Sequence, residues 1–389
     1  MTWNFVLANR NGVTLSVLDT GVKSAQFEFN RSDVSKATLE FDVEDERAIT
    51  LVTETTNTAP RLYAYRDSIL KFAGVLTSLD QRAGAVDGSV TAGFEDGLAL
   101  LRYRISRAEM EYYDAAATSI IASSGTVSGN PSLLTQANEN AATGLVAGTV
   151  DSTSITVEEL TVNREVVLES VLAISRLTGG PDLRVNPQPQ GATLATLDVG
   201  PIYTATDGNV NFAYGPTTQA NVLEVAAQVQ PPTTRVITVG NVVEGQSREN
   251  ATLTTAEGAL GRWEAVEQRS DLESETDCVN AADALVRAGW KATYSFTPDP
   301  ANAPSPLQDY VVGDVVNLTA VRGSILVVAD CRVNRIGIDV DSGGIEAGHQ
   351  VDVEVGDAVL TSPASSKVPA VSLTSSKDAV STASRLGRF

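Results

Sequence analysis

Through the first hundred residues apolar side chains recur at every second position in short runs broken by turn residues, and this alternation admits little but half-buried β-sheet. Phe27 and Phe29 fall on one face of Ala25–Asn30, as Leu39, Phe41 and Val43 do over Ala37–Val43. Asn11-Gly12, between Asn4–Ala8 and Val13–Leu18, spells a hairpin, because Asn and Gly accept the left-handed conformations that a tight loop requires. Arg61–Tyr65 and Ile69–Thr77 make a second pair about Arg66-Asp67-Ser68. Gly88–Phe94 adds a strand, and Leu98–Arg102 reads as a short helical turn. Strands at this spacing predict a sandwich or small barrel over residues 1–105.

The texture changes over 106–200. Ala, Ser, Thr, Asn and Gly dominate 114–154 and periodicity is weak, which predicts a loosely packed insert of mixed α/β character. One helix stands out at Arg164–Leu177, with Asn163 as N-cap, Val167, Val171 and Ile174 along one face, and Gly179-Gly180-Pro181 as its stop. Over 201–360 strands return at Asp314–Ala320, Ser324–Val328, Arg332–Asp339 and Gln350–Val355. A helix at 275–288 precedes them, opened by Ser274 and Asp277 and closed by Gly289, with Val279, Ala282, Leu285 and Val286 as its expected buried face. Residues 361–389 are rich in Ser, Thr, Ala and Pro and are expected to form an extended tail that does not fold alone.

Two of the β-rich stretches echo each other. Leu62–Ala73 and Leu318–Ala329 agree at seven of twelve positions without a gap, each reading as two alternating strands about a polar turn. The simplest account is two related β-domains, over 1–105 and 201–360, flanking the insert. A chain of 389 residues has room for them at roughly 150 residues per domain. The expected fold class is therefore mainly β with a few helices (α+β): two related β-barrel domains with an inserted α/β region.

Charge and chemistry narrow the function. With 28 Lys+Arg against 48 Asp+Glu the formal charge is −20, which disfavours gripping DNA or an anionic membrane by general electrostatics. No basic leader opens the sequence and the longest apolar run, Ile325–Ala329, is far short of a bilayer span, so neither targeting nor membrane insertion is expected. Cys278 and Cys331 form no CxxC and read as small buried hydrophobes. His349, the only histidine, reads as an exposed turn residue ahead of a strand; any His-dependent triad or dyad would have to use it. No His/Cys metal cluster, phosphate-binding loop or nucleophile elbow occurs, and no cofactor is expected. Carboxylates are plentiful, so a glycosidase pair stays open by composition. Asp42, Glu44, Asp45 and Glu46 read as a solvated turn, however, and Asp271, Glu273, Glu275 and Asp277 as the acidic lead into a helix. Asp339–Glu346 departs from calcium-loop spacing and reads as a hairpin turn.

Several stretches, taken in order, carry a family resemblance. Ala37–Val43 followed by Leu62–Leu76 gives a strand, a turn and a strand written Phe72-Ala-Gly74-Val-Leu76, and Phe94–Arg102 looks like the end of a first barrel. Asn211–Gly215, Asn221–Val225 and Arg235–Gly240 look like the passage into a second, and Val312–Leu318, Arg332–Ile336 and Gly344–Glu346 like its closing strands. In order and spacing these resemble the baseplate hub proteins of long-tailed bacteriophages, also called minor tail or tail-associated proteins, especially those of phages with actinobacterial hosts. The likeness covers most of 25–357 and fades over 107–160.

The resemblance implies a non-enzymatic structural protein of the virion at the distal end of the tail. Three subunits of a homotrimer would place six related barrels around a channel, matching a sixfold tail tube. Partners would be a distal tail ring or tube protein and tail tip or fibre proteins, and phage DNA would pass through without specific binding. An acidic wall suits such a conduit, since it repels phosphates within a Debye length. The tail 361–389 would lie along a neighbour or a distal tip protein, with Arg385, Leu386, Arg388 and Phe389 as docking residues, or else stay disordered with no partner. Two other classes remain open. A carbohydrate-binding surface or fibre protein needs exposed aromatic platforms, whereas aromatics are 5% of the chain and Trp3, Trp263 and Trp290 are scattered. A cell-wall glycosidase using paired carboxylates would release reducing ends from peptidoglycan.

Overall fold

A computed structural model of the chain describes residues 1–18, 21–55, 58–84, 87–151, 155–177, 179–202, 210–215, 220–243, 246–253, 261–269, 275–286, 291–322 and 325–355. The first part holds β1 (Trp3–Ala8), β2 (Thr14–Leu18), β3 (Val22–Asn30), β4 (Lys36–Asp42), α1 (Glu46–Thr55), β5 (Arg61–Arg66), β6 (Ile69–Ala83) and β7 (Gly88–Asp96), then a 3-10 turn at Gly97–Tyr103. An insert follows with β8 (Met110–Ala116), α2 (Ala117–Ile121), β9 (Thr126–Val127), β10 (Asn130–Pro131), α3 (Leu133–Asn138), β11 (Leu145–Val150), β12 (Thr156–Val162), α4 (Val167–Ser175), β13 (Asp182–Pro187) and β14 (Ala195–Gly200). The last part holds β15 (Asn211–Tyr214), β16 (Val222–Gln230), β17 (Arg235–Val243), β18 (Gln246–Leu253), β19 (Glu264–Gln268), α5 (Glu275–Leu285), β20 (Lys291–Pro298), β21 (Val315–Arg322), β22 (Ile325–Val340) and β23 (Glu346–Val355).

One 13-stranded sheet contains two runs of the same design, β3-β4-β7-β6-β5-β1, with β2 on its end, and β16-β20-β23-β22-β21-β15. They correspond strand for strand in chain order: β1 with β15, β3 with β16, β4 with β20, and β5, β6 and β7 with β21, β22 and β23. The echoed residues form the β5–β6 and β21–β22 hairpins, which share a register next to the turn, Arg66 opposite Ile69 and Arg322 opposite Ile325, and part by one residue beyond a bulge at Ala64/Tyr65 that only the first hairpin has. In the first hairpin Asp67 and Ser68 take φ of 47° and 69°, the left-handed pair whose twist matches that of the strands. Each long second strand then pairs with a third strand of its run, β6 with β7 and β22 with β23. One pairing differs: β1 is antiparallel to β5, whereas β15 is parallel to β21.

The runs join where Arg335–Val340 of β22 pairs with β3. The sheet curls enough to stack the Trp3 ring on Phe27, at opposite ends of the first run, with centroids 4.5 Å apart. Trp3 N–H donates to Gly344 O at 2.7 Å, and Thr2 bridges Ile345. Gly344 has φ +72° and a Cβ there would lie 2.6 Å from Trp3 O, so this close approach requires glycine. The core runs through both units, from Trp3 and Phe5 to Val351 and Val353.

The insert departs from the loose packing expected of it. Met110, Tyr112, Ile120, Leu133, Leu160, Val171 and Leu197 are buried in a second core. Its periodicity is faint because its elements are short: α2 has five residues, and β9 and β10 have two each. The insert docks on the first unit where Leu194 covers Tyr63, Ala73 and Val75, and buried Arg61 donates to Gly191 O and Ala192 O at 2.8 and 3.1 Å.

Both expected helices exist with altered ends. α4 begins at Val167 rather than Arg164, and Asn163 is not its cap; Val166 caps it without a side-chain bond, and Arg164 takes φ 54°. Val167 N–H, the first of the helix, donates to Arg104 O at 2.9 Å, and ahead of it Arg164 N–H donates to Arg107 O at 3.1 Å and Glu165 N–H to Ser106 Oγ at 2.8 Å, so tertiary partners satisfy these backbone donors and fix where the helix starts. α5 buries Asp277, Cys278, Ala281 and Ala282, while Leu285 is exposed. The face turns because Cys278 and Ala281 pack into the insert's core and Asp277 Oδ2 accepts from Glu159 N–H at 3.0 Å. Ser274, Gly289 and Trp290 lie outside the described residues. The β18-β17-β19 sheet beside α5 is an addition between β16 and β20 that the sequence reading did not anticipate.

Candidate functional site

Strand alternation gives the long sheet two unlike faces. Opposed residues share a face, and on one side the ladders align Phe27, Ala37 and Phe94, then Ala25, Leu39 and Ala92, then Phe41 and Val90, all buried. Each large side chain there contributes about 1.5–3 kcal/mol by leaving water. On the other side the rows read Ser295-Asp352-Arg335-Asn30, Gly337-Glu28-Lys36-Glu95 and Asp339-Gln26-Thr38-Gly93. Every position in these rows is polar or glycine. Carboxylates outnumber cations along them, and Glu40 and Asp80, flanking Thr91 in the next row, add to the excess.

Arg335 sits at the seam between the units. Its Nη1 donates to Glu28 of β3 at 3.1 Å and its Nε to Asp352 of β23 at 2.6 Å, while Ser295 Oγ donates to the other Asp352 oxygen at 2.6 Å. A one-residue slip of β22 against β3 would turn this ladder into the core, so the polar row also fixes register.

At the end of the core the chemistry is buried. Arg66, 2% exposed, pairs through Nε with Glu346 Oε1 at 2.5 Å and through Nη2 with Oε2 at 2.9 Å. It also donates to Ser305 Oγ at 3.0 Å and to Pro306 O. Trp3 Nε1–H donates to Glu346 Oε1 at 2.8 Å. His349 and Tyr310 lie in the field of the same ion pair; burial holds the imidazole below its ordinary pKa, against the pull of Glu346, and pushes the Tyr310 phenol up.

Several expected positions are thereby revised. His349 is not an exposed turn residue: it lies inside β23 opposite Ile338 and is 8% exposed. Its spacing with Val351 and Val353 was the signal for a core-facing strand position. Glu346, which the sequence assigned to a turn, is the partly buried partner of buried Arg66. Asp341 does organise the hairpin turn, its Oδ1 accepting from Gly343 N–H and Ile345 N–H at 2.8 and 2.9 Å. Asp42 and Asp45 accept from the N–H groups of Glu44 and Arg47, and that turn leads into α1, a helix not foreseen. Cys278 and Cys331 are buried, and burial pushes the Cys331 thiol up to about 12. No group of three or more His, Cys, Asp or Glu among the described residues is arranged to hold a metal, and no described helix is long and apolar enough to cross a membrane. Trp3 is buried, so it offers no sugar platform; Trp263 is exposed. Asp271, Glu273, Arg385, Leu386, Arg388 and Phe389 lie outside the described residues.

One carboxylate stands apart. Asp96 accepts from Ser35 N–H and Leu98 N–H, both at 3.0 Å, where β7 passes into the 3-10 turn, and burial pushes its pKa up to about 7 against the pull of those donors. Its folded-state pKa exceeds the ordinary value of 3.8. Its contribution to stability therefore rises as pH falls through about 7 and levels off below the unfolded value. Urea titrations between pH 8 and 5 are expected to show a slope of at most about 1.4 kcal/mol per pH unit from this group, absent in Asp96→Asn. Parallel slopes for the two proteins would contradict the assignment.

No family model matches the sequence, and no curated protein matches it. Solved structures do. The tail protein from Neisseria meningitidis MC58 is 11% identical with a TM-score of 0.55, over 91% of this chain and 96% of that one. The 43 kDa tail protein of prophage MuSo2 from Shewanella oneidensis is 10% identical with a TM-score of 0.56, over 91% and 98%. Prophage tail protein gp18 from Listeria monocytogenes EGD-e is 11% identical with a TM-score of 0.51, over 90% and 94%. The chain has a fold found in phage tail proteins.

Proposed function

We propose that this chain is a non-enzymatic structural subunit of a phage tail: a baseplate hub at the distal end, whose copies form a homotrimeric ring joining the tail tube to the tail tip. The observation that carries this reading is the strand-for-strand duplication. A chain with two like units gives six when three copies assemble, which suits a sixfold tube; the fold shared with tail proteins supports the same assignment. In the ring the polar face of the long sheet lines the DNA exit channel. Its excess of carboxylates repels phosphates over the roughly 8–10 Å that physiological salt leaves unscreened, so DNA slides past without being held. Tube or distal ring proteins meet one end of the ring and tip or fibre proteins the other. Residues 361–389 reach a neighbour through Arg385, Leu386, Arg388 and Phe389.

Electron microscopy of the purified full chain and of a chain ending at residue 360 tests this. A threefold particle with a central passage is expected for the full chain, and weaker assembly for the shortened one. Particles without a passage would refute the ring, and unchanged assembly on shortening would remove the tail from it.

A further inference from the structure

In a chain of charge −20, residues 102–107 hold three arginines, Arg102, Arg104 and Arg107, interleaved with Tyr103 and Ile105. The backbone of this stretch is pinned to the start of α4 by the donations from Arg164 and Val167, by Ser106 N–H donating to Glu165 O at 2.8 Å, and by the Ile105–Val166 bridge. Tyr103 and Ile105 nevertheless face outward, 62% and 58% exposed. With Gln136, Ala137 and Glu139 near the end of α3 they line a notch of about 230 Å³. Arg102 is held by Glu95 and Tyr103, Arg104 donates to Ala141 O at 3.0 Å, and Arg107 pairs with Glu139. Arg104, Arg107 and Glu139 leave the notch net positive, the reverse of the chain as a whole. Gln136 is 8% exposed; its Nε2 donates to Ile105 O at 3.4 Å, and its Oε1 meets no donor among the described residues. Buried acceptors without donors are uncommon, and this oxygen, itself closed to solvent, belongs to a residue of the notch wall.

We propose that this notch is a contact between copies of the chain and takes an acidic segment of a second copy. The inference rests on the ring reading and names a surface through which the ring forms. Charge complementarity selects the occupant: with 48 acidic against 28 basic residues, a neighbouring copy offers mostly carboxylates to a net-positive site. Tyr and Arg are residue types that anchor interfaces, and a backbone already fixed by hydrogen bonds loses little freedom on docking. An acidic segment supplies the complement of the notch, a carboxylate for the guanidinium groups of Arg104 and Arg107.

Sedimentation velocity of the full chain, the Arg104→Glu/Arg107→Glu double variant and Tyr103→Ala, at low and high salt, tests it. Wild type is expected to assemble and to weaken as salt rises. Each variant should associate at least tenfold more weakly while keeping the wild-type circular dichroism; Tyr103→Ala provides the check if the charge reversal misfolds. Variants that assemble like wild type overturn the notch and leave the ring reading standing. A wild-type chain that stays monomeric throughout overturns both.

Discussion

Arg66→Ala is expected to lower the unfolding free energy by about 3–5 kcal/mol, read as a fall in the urea midpoint. The loss arises less from the missing attraction than from what stays behind. Glu346, partly buried, loses its guanidinium partner and retains the Trp3 Nε1–H donor, and Pro306 O loses a donor outright. The pair ties β5 to the start of β23 and to the loop before β21, so the damage should reach all three. Replacing both partners with apolar residues, Arg66→Met with Glu346→Leu, should be less harmful than Arg66→Ala alone, because the double change also removes the cost of burying charge. A midpoint for Arg66→Ala within error of wild type would show that the cluster carries no stability.

Phe27→Ala should cost a similar amount, about 3–5 kcal/mol. Phe27 is 2% exposed and packs against Trp3, Phe5 and Phe29 at 4.5, 5.9 and 6.1 Å and edge-on against Phe72 at 5.8 Å, so truncation opens a cavity among rings that cannot all move in. It also faces Ile338 across the β3–β22 ladder that joins the two units. Hydrogen exchange should therefore quicken first in Ile336–Val340 and in β3, ahead of the insert, whose core is separate. Equal acceleration everywhere would mean that the units and the insert unfold as one body, contrary to this expectation.

Sequence alone dictates the strands of residues 1–96 and most of those between 314 and 355, their inward and outward faces, the first hairpins, the duplication and the excess of negative charge. Those features are written in period-two patterning and turn residues within windows of about ten residues, where backbone geometry alone gives them meaning. Leu39 and Phe41 could point only one way once the strand existed. The long-range contacts settle instead that β22 pairs with β3, that Glu346 leaves its turn to meet Arg66 across 280 positions, and that α4 starts where Val167 N–H meets Arg104 O. They also decide which side of α5 is buried and draw His349 into the core. Such contacts depend on how far a long sheet curls and what then lies opposite, a balance struck over the whole chain that no local pattern records.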